Sequence, residues 1–201
     1  MFISKITLNP ERTATRKLIS EPRSIHGMIQ KSFHEDAERI LWSLDTSQRD
    51  PVIYVLSPDE PSTEHIVERY GRVNDRKGII TKNYDVLLDA LEIGKVFRMK
   101  AVLNPTITVA KKRVPIVGYE NLCHWLENRS EINGFKIVSS IDISNEKVMD
   151  IRKKDTRITL NTATFEANIE ITDENLFRNV LINGLGRGKA YGLGFVTVSR
   201  T

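Results

Sequence analysis

One cysteine, Cys123, occurs among 201 residues. A lone thiol excludes an internal disulfide and any zinc cluster built on several cysteines. It stands in a helical pattern beside Leu122 and Leu126, which predicts a buried structural thiol. Histidine is scarce too: His26, His34, His65 and His124 are the whole set. His26 and His34 are eight apart and align only loosely on a helix, so no metal site is expected. There is no Gly-x-Ser-x-Gly elbow and no His-Glu-x-x-His. No carboxylate pair stands out as a metal-dependent nuclease site. No apolar run approaches the roughly eighteen residues of a membrane span. The N-terminus has no charged stretch followed by an apolar core, so no signal peptide is expected. These absences lead to the expectation of a cytoplasmic protein without metal or cofactor.

What is present is more telling. The chain is 40% hydrophobic and 28% charged, ordinary for a soluble globule of one domain or two small ones. Its net charge of +4 suits a nucleic-acid partner. Five of the eleven glycines lie between Asn183 and Phe195, with Arg187 and Lys189 among them. Leu176, Phe177, Val180 and Leu181 predict a helix before this stretch, with Asp173 as its N-cap. Phe195–Val198 predicts a strand after it. A phosphate-binding P-loop runs from strand to helix and carries Ser or Thr after Gly-Lys, whereas here Ala190 follows Gly188-Lys189. The dinucleotide fingerprint is excluded by the same reversed order. Two readings stay open: a backbone surface for phosphates, through Gly184, Gly186, Arg187, Gly188 and Lys189, or a helix end feeding a tight turn.

Taken in order, Phe2–Leu8 alternates as a strand, and 11–22 is a loop or a short helical turn. Ile25, Met28, Ile29, Phe33, Ala37, Ile40 and Leu41 recur at helical spacing and predict one helix from about Ser24 to Leu44, with Ser24 as N-cap. Pro51–Leu56 is a strand, 63–70 a short helix, 71–82 a polar connection and Lys95–Leu103 a strand. The second half repeats the mixture: a helix over Tyr119–Glu131, a strand over Phe135–Ile143, two strands around a basic turn at 152–157, then the last helix, glycine loop and strand. The class is α+β in two halves. Three basic clusters are separate in sequence: Lys111, Lys112 and Arg113; Arg152, Lys153, Lys154 and Arg157; Arg187 and Lys189. Together with the glycine loop they favour RNA as the partner, though any one alone is more often a solvated turn.

The run Gly184-Leu-Gly-Arg-Gly-Lys-Ala-Tyr-Gly-Leu-Gly-Phe195 resembles the glycine-rich signature of repeat-associated RNA-processing proteins, and most of all the CasE branch. That branch comprises the CRISPR precursor-RNA endoribonucleases of type I-E systems. Met1–Pro10 is similar to the family's first strand, Phe97–Pro105 to a middle motif and Thr164–Ala167 to a later one, in the family's order over nearly the whole chain. His26 falls where the family keeps its catalytic histidine, and Lys31 matches a frequent basic partner. Some relatives have tyrosine where this chain has Arg23. Arginine cannot release a proton but does stabilise phosphate charge, so Arg23 is expected to act as an electrostatic clamp. Ala167 stands where the family usually has glycine.

The resemblance implies two tandem ferredoxin-like (RRM-like) domains, divided here as 1–104 and 105–201. It implies cleavage of CRISPR repeat RNA at the base of a stem-loop, without a metal, by attack of the ribose 2′-OH. The products are then a 5′-hydroxyl and a 2′,3′-cyclic or 3′ phosphate. The enzyme is expected to stay on its product hairpin and to join a multi-subunit interference (Cascade-like) complex. Two rival readings are a non-catalytic RNA-binding subunit of the same fold and an α+β domain that binds no RNA.

Overall fold

The computed structural model describes residues 1–33, 40–72, 78–153 and 156–201, with backbone alone at 152, 153, 156 and 157. The described residues form two compact units. One is Met1–Asp89 with Ala190–Gly192; the other is Ala90–Lys189 with Leu193–Thr201.

In the first unit the order is β1 (Phe2–Thr7), α1 (Thr13–Ser20), α2 (Pro22–Gln30), β2 (Leu41–Asp45), β3 (Val52–Ser57), α3 (Glu64–Tyr70), β4 (Ile79–Asn83) and α4 (Asp85–Leu88). The strands form an antiparallel sheet in the order β2-β3-β1-β4. With a helical crossover after β1 and another after β3, this is the β-α-β-β-α-β ferredoxin-like arrangement. Alternation along β1 and β3 sends Ile6, Ile53 and Val55 inward, against Leu18 of α1, Ile25, Met28 and Ile29 of α2, and Ile66 and Tyr70 of α3. Burying a side chain of this size contributes about 1.5–3 kcal/mol, so this shared core fixes where α2 lies.

The long helix expected over 24–44 is not one element. The helix α2 ends at Gln30, and Leu41–Asp45 is instead β2, paired in register from Leu41↔Leu56 to Asp45↔Val52. The apolar spacing ran on through Ile40 and Leu41 by coincidence, and pairing with β3 decided the outcome. The intervening 34–39, including His34 and Ala37, lie outside the described residues. Nor is Ser24 the N-cap. Glu21 holds that position with Pro22 at the first helical turn, and the Ser24 hydroxyl donates to Glu21 Oε2 at 2.9 Å. Of the two readings of 11–22, loop or short helical turn, the helical one holds, as the eight-residue α1, and the polar connection 71–82 contains the start of β4.

In the second unit the order is β5 (Val96–Leu103), β6 (Thr106–Val109), β7 (Lys112–Pro115), α5 (Tyr119–Glu131), β8 (Phe135–Ile137), β9 (Asp142–Lys153), β10 (Thr156–Ile171), α6 (Glu174–Asn183) and β11 (Val196–Arg200). Its sheet runs β11-β5-β10-β8, the same order relative to the chain as in the first unit, with β9 added along β10 and β6-β7 as a separate hairpin. This unit too is ferredoxin-like. The strand Val96–Leu103, assigned to the first half by a division at 104, pairs on both sides within the second unit, with β10 and β11. It alternates cleanly, burying Phe97, Met99, Ala101 and Leu103. Trp125 and Leu126 of α5 and Phe177, Val180 and Leu181 of α6 join Phe135, Phe165 and Ile169 in its interior. Ala167 is buried opposite Met99. Cys123 is free and half-buried rather than buried, since it sits on the flank of α5 and not in the stripe formed by Leu122, Trp125 and Leu126.

Candidate active site and nucleic-acid interface

His26 lies on α2, one position after the core residue Ile25 and therefore about 100° around the helix from it. That offset leaves the ring half-buried at the edge of the first unit's core. Partial burial withholds water from the imidazolium and pushes the His26 pKa below its ordinary 6.5. That shift favours the neutral ring, the form a base needs before it accepts a proton. Arg23 is three residues earlier, adjacent on the helix surface, and is exposed. Lys31 forms the C-cap and is exposed as well, about 140° around from His26. A β-carbon added at Gly27 would meet nothing within 4 Å. Alanine there would favour the helix by about 1 kcal/mol, so glycine keeps the face beside His26 open at some loss of stability. Of the other histidines, His65 has Nε2 3.4 Å from the Met28 carbonyl, and His124 is exposed on α5. Among the described residues no three His, Cys, Asp or Glu side chains gather as a metal-binding group.

The glycine-rich loop begins at the end of α6. Asp173 is the N-cap of that helix, accepting from the Leu176 N–H at 2.9 Å. Past Gly184, the loop is closed by Leu185 N–H donating to the Gly194 carbonyl at 2.7 Å. A β-carbon at Gly194 would lie 2.5 Å from the Leu185 carbonyl oxygen, and one at Gly184 would lie 2.7 Å from that of Gly194. Within the first unit, Gly192 sits flat on the Trp42 ring, leaving 2.5 Å for a β-carbon. Most of these glycines are therefore needed by the loop's own packing. Gly186 differs: a β-carbon there would have only Trp125 near it, at 3.9 Å, and the exposed Arg187 follows.

Gly186 and Arg187 border an open cleft of about 780 Å³ within the second unit. Its other walls are the β6-β7 hairpin, which supplies Arg113, and α5, which supplies Trp125 and Arg129. Two basic clusters that are distant in sequence thus reach one cleft, while Lys111 and Lys112 stand at the hairpin tip and are exposed. Ala110 and Lys111 form the turn with φ of 48° and 64°, the left-handed region at two residues that are not glycine. Arg129 went unnoticed in the sequence. Its signal was the four-residue spacing from Trp125, over whose ring its guanidinium lies at 5.6 Å. The third basic cluster is at the free end of the β9-β10 hairpin, where Arg152 pairs with Arg157 and Lys153 with Thr156 in register. Lys154 lies outside the described residues, and of Arg152, Lys153 and Arg157 only the backbone is described. Lys189 opens a short 3-10 turn ending at Tyr191.

The family model for CRISPR associated protein matches residues 1–200. The chain belongs to that family. The CRISPR-associated endoribonuclease Cse3 of Thermus thermophilus is 28% identical to it over 218 residues, which take in 99% of this chain and all of the relative. The structure of CRISPR endoribonuclease Cse3 bound to a 19-nucleotide RNA superposes with a TM-score of 0.86 at 26% identity, covering 99% of this chain and all of the other. Thermus thermophilus Cse3 bound to an RNA representing a pre-cleavage complex gives 0.83 at 26% identity, covering 98% of each. These superpositions agree with the two ferredoxin-like units described above.

Proposed function

We propose that this member of the CRISPR associated family is an endoribonuclease that cuts repeat RNA at the base of a stem-loop by metal-independent proton transfer. The observation that carries the reading is His26: a half-buried imidazole, its pKa lowered by that burial, at an open helix face with an arginine one turn away.

The chemistry follows from those groups. The 2′-oxygen beside the scissile phosphate gives its proton to the His26 ring as it bonds to phosphorus. The resulting pentacoordinate phosphorus carries excess negative charge, which the Arg23 guanidinium and the Lys31 ammonium offset. The P–O5′ bond then breaks, and the proton held by His26 passes to the departing 5′ oxygen. The products are a 2′,3′-cyclic phosphate and a 5′-hydroxyl, with no net change in protons. Arg23 holds charge and orientation only, because its proton is never released.

The second unit supplies the grip. An A-form stem offers phosphates and 2′-hydroxyls more readily than base edges, which suits the exposed Lys111 and Lys112 together with the basic end of the β9-β10 hairpin, while Arg113 and Arg187 offer charge to the RNA from the cleft beside them. Gly186 and Arg187 present backbone and charge, while Gly184 and Gly188 shape the loop that carries them. We place the enzyme in the cytoplasm, bound to its product hairpin and joined to the other subunits of an interference complex. Among the described residues no helix is long and apolar enough to cross a membrane.

The deciding experiment incubates labelled repeat RNA with purified protein in excess chelator. Cleavage by the wild-type protein, lost in His26→Ala while hairpin binding persists, supports the reading. Binding without cleavage in any buffer would leave a non-catalytic RNA-binding subunit, and cleavage only after metal is restored would overturn the proton-transfer scheme.

A further inference from the structure

The cleft of the second unit has features that holding a duplex does not explain. Arg113, Arg129, Arg187 and His124 line it, and among the described residues no carboxylate does. Two polar atoms in its lining residues are buried without a partner: Asn104 Oδ1, on a residue 7% exposed, and Trp125 Nε1, on a residue 8% exposed. Both atoms lie behind the cleft's surface, where an unpaired donor or acceptor is unfavourable. Asn121 donates to the Val117 carbonyl at 3.1 Å, and Asn128 is exposed beside it on α5, so amide groups capable of reading a base edge border the same space.

We propose that this cleft holds a single-stranded stretch of the RNA flanking the stem, with phosphates on Arg113 and Arg187 and an unstacked base on the Arg129–Trp125 pair. The assignment rests on the endoribonuclease reading above and adds which part of the RNA goes where. Shape decides for a single strand. A stem about 20 Å across presents its backbone to a surface and does not enter a recess of about 780 Å³, whereas one or two splayed nucleotides do. The flat, exposed guanidinium of Arg129, held over the indole at 5.6 Å, is a cationic stacking platform of the kind single-stranded RNA uses. A lining without carboxylates spares a phosphate the repulsion it would otherwise meet.

The test compares affinity for two RNAs: the repeat stem-loop trimmed to its base pairs, and the same stem-loop with its single-stranded flanks. The wild-type protein is expected to bind the flanked RNA about tenfold more tightly, as one stacked base would give. In Arg129→Ala and in Asn128→Ala, each checked for an unchanged circular dichroism melt, that ratio is expected to fall toward one. A photoreactive uridine in the flank is expected to crosslink within 104–131, which keeps the question answerable should either variant fold poorly. Equal affinity of wild type for both RNAs, a ratio unmoved by the two variants, or a crosslink mapped outside that segment would each overturn the assignment. So would full competition by a blunt duplex for the flank. Binding to neither RNA would instead remove the endoribonuclease reading, and this assignment with it.

Discussion

Arg98 on β5 donates from Nη2 to Glu166 Oε2 on β10 at 2.9 Å, and Lys100 Nζ reaches the other carboxylate oxygen at 3.4 Å. The middle motif and the Phe-Glu motif, separate in the sequence, are thus neighbouring strands of one sheet, with Lys100 opposite Glu166 in register.

The Arg98 hydrogen bond holds the Glu166 carboxyl below its usual 4.5. A carboxylate whose folded-state pKa is depressed contributes stability above its unfolded value and loses it as pH falls through the folded one. Wild type is therefore expected to melt above Glu166→Gln at pH 7, with the gap closing below about pH 4.5. The pair is largely solvent-accessible, so the effect is modest. Thermal melts between pH 7 and about pH 3 check it, and a gap that stays constant over that range contradicts the pairing.

His26 gives a second pH prediction. Because burial lowers its pKa, the acid limb of single-turnover cleavage is expected to lie below 6.5, with rate lost only as the ring protonates. His26→Ala is expected to slow cleavage by about 10²–10⁴ and to abolish that limb. Arg23→Lys should retain more rate than Arg23→Ala without moving the limb, since Arg23 contributes charge and not a proton. A shift of the limb in Arg23→Lys would mean that the clamp assignment is wrong.

Gly192→Ala is expected to cost the fold about 2 kcal/mol or more. Alanine is strained at φ 77°, and its methyl group would fall on the Trp42 ring. Denaturant midpoints report this directly. An unchanged midpoint would show that Trp42 moves aside without loss.

Lys111→Gly separates folding from binding at the β6-β7 tip. Glycine relieves a left-handed residue at φ 64°, worth up to about 1–2 kcal/mol locally, and removes one cation. Protection of the hairpin amides from hydrogen exchange should rise. The slope of log affinity against log salt should flatten by about one. An unchanged slope takes Lys111 out of the interface.

Much of the second unit was legible in advance because its elements end in strong punctuation. Asp173 caps α6, glycines follow it, and Asn104-Pro105 closes β5. In the first unit the central error came from reading one period through two elements, since Ile40 and Leu41 continue the stripe of α2 although the chain has already turned into β2. The strand β4 was hidden because Ile79-Ile80-Thr81-Lys82-Asn83 is too short and polar to declare itself without β1 beside it. At the candidate site, His26 and the basic clusters were visible as residue types. The cleft was not, because Asn104, Arg113, Arg129 and Arg187 converge only through the fold, and an unpaired buried amide oxygen has no sequence pattern.

Pairing of β11 with β5 places Val196–Arg200 along one side of a strand made a hundred residues earlier. While the ribosome is still at work, Met99 and Ala101 have only part of their sheet, and Trp42 lacks the glycine that will cover it. Each growing polypeptide therefore carries uncovered apolar surface until Val196–Arg200 has joined the sheet, which makes docking of that strand the step that closes the second unit.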